Sequence, residues 1–193
     1  MRSFALTALD RHDLLPTIVS RCQTLELRPI ATETIVTALV HHWQMAADEA
    51  ALLGRLARGR LGWAVEQMQQ RDKTDQRLSQ LQTLWQMIAA DPVERLLFAE
   101  KSATTFTNRS LFEMVDLWTT WWRDVLLVQS GCADNCCNID QTVRLQQQAT
   151  QVPLTTVRDY LRTLQRIERY LQHTINTRLA LEVLLLQLPS LRK

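Results

Sequence analysis

Glycine is the residue this chain has nearly dispensed with: four in 193, at positions 54, 59, 62 and 131. Tight turns between strands rest on residues that tolerate positive φ, glycine first among them. So few glycines disfavour a sheet-rich fold and point to helices. Leucine and glutamine are abundant, and both lose little rotamer freedom in a helix. With 46% hydrophobic and 22% charged residues, the composition is that of a globular chain, not a disordered one. The net charge of +2 does not mark a nucleic-acid binder, although a local basic patch stays open. No stretch approaches the roughly 18 apolar residues of a membrane span. The apolar run Phe4 to Leu9 is too short for a secretion signal, and Asp10 follows at once. Cys22, Cys132, Cys136 and Cys137 therefore read as reduced thiols of a cytoplasmic protein.

Periodicity predicts the elements. Ser3 to Leu9 and the alternating Gln23 to Leu27 read as two short strands around a short helix that Pro16 opens. The Asp10 to Asp13 run reads as the turn after the first. Two strands do not make a stable sheet alone, so residues 1–29 read as the tail of a larger α/β domain. A three-helix unit follows over 30–70. Thr32 and Asp48 are its expected N-caps, and Ile35, Val36, Leu39, Val40 and Trp43 form one apolar stripe. Leu52, Leu53 and Leu56 point inward, Gly59 suits the position after the second helix, and the third runs from Leu61 through Met68. Gln69 to Gln76 is either a solvated helix face or a hinge. Long amphipathic helices occupy 71–193. One carries Leu81, Leu84, Trp85 and Ile88; another starts at Asp91-Pro92. A third, capped by Asn108, carries Leu111, Val115, Trp118, Trp122 and Val125. Pro153 opens a long helix, and the last holds Leu179 to Leu188.

Two segments carry a resemblance. Leu14 to Gln23, with Ser20-Arg21-Cys22, resembles the sensor 1 region and Ser-Arg-Cys motif of clamp-loader AAA+ subunits. The resemblance implies that Arg21 reaches ATP held by a neighbouring subunit. A planar guanidinium suits charge on transferring phosphate oxygens, and such an arginine is worth about 10³–10⁵ in rate. Trp121 to Leu127, then Asn138-Ile139-Asp140, then Asn176 to Glu182 with Leu184 to Pro189, is similar to the C-terminal collar domain of bacterial DNA polymerase III delta-prime subunits. That implies a collar holding the loader together. Trp122 is expected in its core. Arg123, Asp124, Asn176, Arg178 and Glu182, polar within apolar helices, are expected to make buried or interfacial hydrogen bonds.

The remaining features qualify this. Gly62 aligns with the sensor 2 arginine of ATP-hydrolysing loader subunits, and Arg60 lies on a different face. There is no phosphate-binding Gly-x-x-x-x-Gly-Lys-Ser/Thr loop and no acidic Walker B cluster. No metal site is expected: Cys132, Cys136 and the adjacent Cys137 lack the usual paired spacing. His41 and His42 diverge on a helix surface. Trp118, Trp121 and Trp122 fit core or interface better than base stacking, and Arg158, Arg162, Arg166 and Arg169 fit a solvated or subunit-facing helix face.

The expectation is thus a mainly α chain: an AAA+ core remnant (1–29), a three-helix lid (30–70) and a helical collar (71–193). Its expected role is that of a non-hydrolysing clamp-loader accessory subunit. It would bind no cofactor, with ATP and Mg on partner subunits. Expected partners are gamma/tau motor subunits and delta, with the sliding clamp and primed DNA reached through the complex. A fragment of a gamma/tau-type motor and a helical interaction remnant are the alternatives.

Overall fold

The structure is a computed structural model describing residues 4–8, 14–69, 72–171 and 176–190. Its helices are α1 (Pro16–Val19), α2 (Thr32–Trp43), α3 (Ala47–Leu56), α4 (Leu61–Gln69), α5 (Asp72–Ala89), α6 (Pro92–Ala103), α7 (Asn108–Gln129), α8 (Thr142–Gln151), α9 (Leu154–Leu171) and α10 (Thr177–Leu186). Two 3-10 turns, Ala133–Asn135 and Ile139–Gln141, lie between α7 and α8.

Among the described residues there is no strand, which corrects the expected α/β remnant. Residues 4–8 and 23–30 run irregularly, with Leu25 82% and Leu27 88% exposed. An alternating pattern becomes a strand only where another strand takes its backbone hydrogen bonds. The described residues give neither segment such a partner. The expected turn over Asp10 to Asp13 lies outside the described residues, as do positions 70 and 71 of the polar stretch; α5 takes up that stretch from Asp72.

Helices α2, α3 and α4 close around a small core of Ile35, Leu39, Ala50, Ala57 and Ala64. Small residues set its spacing: a Cβ on Gly54 would lie 2.6 Å from Val36 Cγ2. The innermost positions of α3 are therefore Ala50 and Gly54, followed by the buried Ala57 just past its end, while the expected Leu52, Leu53 and Leu56 are only partly buried. Both helix starts also fall earlier than expected. Ala31 and Ala46 occupy the N-cap positions without side-chain caps, leaving Thr32 as the first helical residue and Asp48 in the first turn. A carboxylate is still favourable there, beside the helix's positive end. Beyond α3, Arg58 (φ 48) and Gly59 (φ 85) make two successive left-handed residues. Pro29 fills the space over Gly59, where a Cβ would meet its own Cβ at 2.4 Å, and the Ile30 N–H donates to the Gly59 carbonyl at 3.0 Å.

The larger core is built on α7, whose Leu111, Met114, Val115, Trp118, Trp121, Trp122 and Val125 are buried. Leu81, Leu84 and Ile88 of α5 join it, as do Val157, Tyr160, Leu164 and Ile167 of α9 and Leu181, Leu184 and Leu185 of α10. A buried indole removes roughly 150–250 Å² from water, worth about 4–6 kcal/mol. Edge-on pairs lock two of them: Trp85 on Trp121 at 5.4 Å and Trp122 on Tyr160 at 5.7 Å. The capping expected at Asp91 is present. Its carboxylate accepts from Val93 and Glu94 N–H at 2.8 and 2.9 Å, and Glu94 returns the bond to the Asp91 N–H. Thr107, not Asn108, caps α7. Among the described residues, no helix is long and apolar enough to cross a membrane.

Candidate functional site

The residues singled out in the sequence fall in three places. The first is the turn after α1. Arg21 and Cys22 close it through N–H bonds to Ile18 and Val19 carbonyls, and Ser20 Oγ donates to the Thr17 carbonyl at 3.2 Å. All three residues are exposed, and among the described residues the Arg21 guanidinium has no partner. Arg60 and Gly62 sit apart from this turn. Arg60 Nε donates to the Ala57 carbonyl at 3.1 Å, its guanidinium lies over the Trp63 ring, and Asp116 is 3.8 Å away. Gly62 is exposed with open space where a side chain would point.

The second place joins two stretches of the resemblance. Asp124, on α7, is 0% exposed. An ionised carboxylate survives such burial only when its lone pairs are filled. Here Oδ2 accepts from the Cys137 N–H (2.9 Å), the Asn138 N–H (2.7 Å) and Asn138 Nδ2 (2.7 Å), with Arg123 Nη1 3.5 Å from Oδ1. The α7–α8 loop is thus wrapped on one buried charge. Arg77, from α5, extends the network: it donates to Asn138 Oδ1 at 2.6 Å and to both Asp140 oxygens at 2.9 and 3.0 Å. Burial pushes the Asp140 carboxyl up, but the Arg77 hydrogen bonds and charge outweigh it and hold the carboxyl below its ordinary value. Cys136 is pushed up to about 11 by burial and then by the Asp124 charge, so it stays a thiol; its Sγ lies 3.6 Å from the Asp124 carbonyl. Arg123 is half-exposed and Trp122 is fully buried in the core. All four cysteines are free, and among the described residues no cluster of histidine, cysteine or acidic side chains could hold a metal.

The third place is the pair α6 and α10. Asn176 caps α10 by accepting the Leu179 N–H at 3.1 Å. Arg178 donates to Glu182 at 2.8 Å and pairs with Glu100 of α6 at 3.5 Å; Arg178 and Glu100 are exposed and Glu182 is partly buried. Arg95 of α6 bonds to Leu185 and Leu188 carbonyls, so the two helices run antiparallel. Each exposes apolar residues at helical spacing: Val93 (64%), Leu96 and Leu97 (60%) on α6, Leu179 and Leu186 on α10. Exposed apolar residues on two packed helices, with charged residues beside them, suit a protein-docking surface.

Sequence reasoning missed Arg95, which is 3% exposed and has no carboxylate partner among the described residues. It donates to carbonyls of Met87 (2.8 Å), Ile88 (3.1 Å), Leu185 (3.2 Å) and Leu188 (2.7 Å), and to Ser190 Oγ (3.1 Å). These carbonyls cluster at the C-terminal ends of α5 and α10, where helix dipoles are negative. Gln148, which accepts the buried Trp121 N–H at 2.6 Å, was missed as well.

Residues 71–189 match the family model described as DNA polymerase III, delta subunit, C terminal. The chain belongs to that family. The matched span contains α5 through α10, and with them the Asp124 network, the Arg95 cluster and the α6/α10 face. It makes the protein a clamp-loader-related accessory subunit of a DNA polymerase III, associated with other loader subunits. The family carries the delta name, where the sequence resemblance had pointed to delta-prime. The Ser20-Arg21-Cys22 turn and the α2–α4 unit lie outside the match. No curated protein matches the chain.

Proposed function

We propose that the chain is a delta-prime-type accessory subunit of the bacterial clamp loader, helping to load the sliding clamp onto primed DNA without hydrolysing ATP itself. Residues 30–70 act as the lid, and residues 71–193 act as the collar that docks on adjacent loader subunits. The observation that carries this reading is the exposed apolar face of α6 and α10 within the family-matched span. On an isolated chain such a face would be costly to leave in water. Arg21, exposed and without a partner among the described residues, is the cation offered to the phosphate oxygens of ATP, which a gamma/tau neighbour holds with Mg. Ser20 and Cys22 complete the turn that presents it.

The test is assembly with purified motor and delta subunits. The wild-type chain should co-elute with them in size-exclusion chromatography. Leu97→Glu with Leu179→Glu should abolish co-elution while leaving the circular dichroism spectrum unchanged. In the assembled complex, Arg21→Ala should lower DNA-stimulated ATPase at least about tenfold, given what a trans arginine is worth elsewhere. Failure of the wild type to co-elute would sink the loader reading and leave a helical interaction remnant. An unchanged ATPase rate would remove the role given to Arg21.

A further inference from the structure

The α2–α4 core and the α5–α10 core share no residue. Among the described residues, hydrogen bonds and ion pairs that cross between them, made by Arg55, Arg58 and Arg60, converge on α7 and the turn that follows it. Arg55, in the last turn of α3, donates through Nη1 to the carbonyls of Asp134 and Cys136 (the latter at 3.1 Å). Arg58, in its left-handed conformation just past α3, bonds Asp116 of α7, and Arg60 lies 3.8 Å from the other Asp116 oxygen. The α7–α8 loop that receives Arg55 is the one held by the buried Asp124 carboxylate, and Arg77 of α5 binds the same loop at Asn138 and Asp140. A rigid acceptor thus meets arginines carried on a separately packed unit. The Arg58 and Asp116 side chains are 28% and 30% exposed, so water reaches them. Opening an apolar core exposes buried surface to water, whereas half-solvated ion pairs can break and re-form with little loss.

We propose that Arg55, Arg58 and Arg60 form a reversible latch that fastens the α2–α4 unit onto Asp116 and the 133–136 turn, setting its orientation on the helical domain. Released, the unit swings as a rigid body while both cores stay intact. The left-handed pair Arg58–Gly59 fixes the direction in which the latch side chains leave α3. The latch stands on these contacts alone, whatever the α6/α10 face binds.

The experiment uses the 193-residue chain with Cys22→Ser and Cys132→Ser, the two exposed thiols. Dyes go on His42→Cys in α2 and Arg166→Cys in α9, both exposed. Single-molecule energy transfer should show one dominant state at about 50 mM salt. A second state should grow as salt reaches about 1 M, where the screening length falls to roughly 3 Å. Asp116→Asn should raise the second state up to about fivefold at low salt, the range of a partly exposed ion pair. Arg58→Asp with Asp116→Arg should restore the salt-dependent single state. Far-UV circular dichroism should not change across this series. One unchanging state in wild type and Asp116→Asn at every salt concentration would overturn the latch. If Asp116→Asn fails to fold, the wild-type salt titration still decides the matter.

Discussion

Replacing Asp124 by alanine should destabilise the protein by about 3–5 kcal/mol. The Asp124 Oδ2 accepts three hydrogen bonds, two from backbone N–H groups of Cys137 and Asn138 and one from the Asn138 side chain. Each donor left unsatisfied in a dry site costs about 1–3 kcal/mol, which sums to about 3–9 kcal/mol. The upper part of that range will not be realised, because loop 130–135 is exposed and can admit water to the freed groups. Breaking a buried charged group from its partners typically costs about 3–5 kcal/mol, and that range is adopted. Asp124→Asn keeps one carbonyl acceptor but loses the charge, and should cost about half as much. Urea unfolding followed by tryptophan emission is the assay, since Trp121 and Trp122 sit on the same turn of α7. Asp159→Ala, on the exposed face of α9, is the control and should stay within about 0.5 kcal/mol. If Asp124→Ala moved stability by less than about 1 kcal/mol at unchanged m-value, the claim that one buried charge organises the loop would be wrong.

Three further outcomes are expected. Arg95→Met should lower stability by about 2–4 kcal/mol in the same assay, and Arg95→Lys should recover less than half of that, because one ammonium cannot span five acceptors at two helix ends. Asp140 has a depressed folded-state pKa, so its pairing with Arg77 stabilises fully above the unfolded value near 3.8 and fades as pH falls through the lower folded value; the acid limb of a stability–pH curve should flatten in Asp140→Asn. Gly59→Ala puts a methyl group 2.4 Å from Pro29 Cβ at φ +85, and should cost about 1–3 kcal/mol and speed amide exchange at Ile30, seen by hydrogen–deuterium exchange.

The sequence made some of this legible and hid the rest for identifiable reasons. The α7 stripe was readable because Leu111, Val115, Trp118, Trp122 and Val125 all share one face and are all buried. Asp91 was readable because its cap is a local device in which N-cap, proline and Glu94 lie within four residues. The strands were misread because alternation in Gln23 to Leu27 says nothing about whether a partner exists. Helix α6 was opaque for the opposite reason. Its leucines and valine face outward while Arg95 faces inward, so hydrophobicity points to the wrong side. What decides that inversion is a set of carbonyls, two at the end of α5 and two about ninety residues away, and no hydrophobic pattern reports them. Asp124 could be named as polar among apolar neighbours, but its acceptor role required knowing that the α7–α8 loop folds back over it. Arg178 and Glu182 were named on the same reasoning, and they pair with each other beside the apolar residues of α6 and α10, outside the core.

The long reach of Arg95 also bears on how the chain matures during synthesis. Its guanidinium waits for Leu185, Leu188 and Ser190, up to 95 residues downstream. At ribosomal rates of about 5–20 residues per second, that interval lasts roughly 5–20 s. Throughout it, α6 emerges with its cation hydrated and its outer leucines bare, unable to settle against a helix not yet made. The helical domain therefore closes late, and for those seconds the nascent chain carries the exposed apolar surface that chaperones bind.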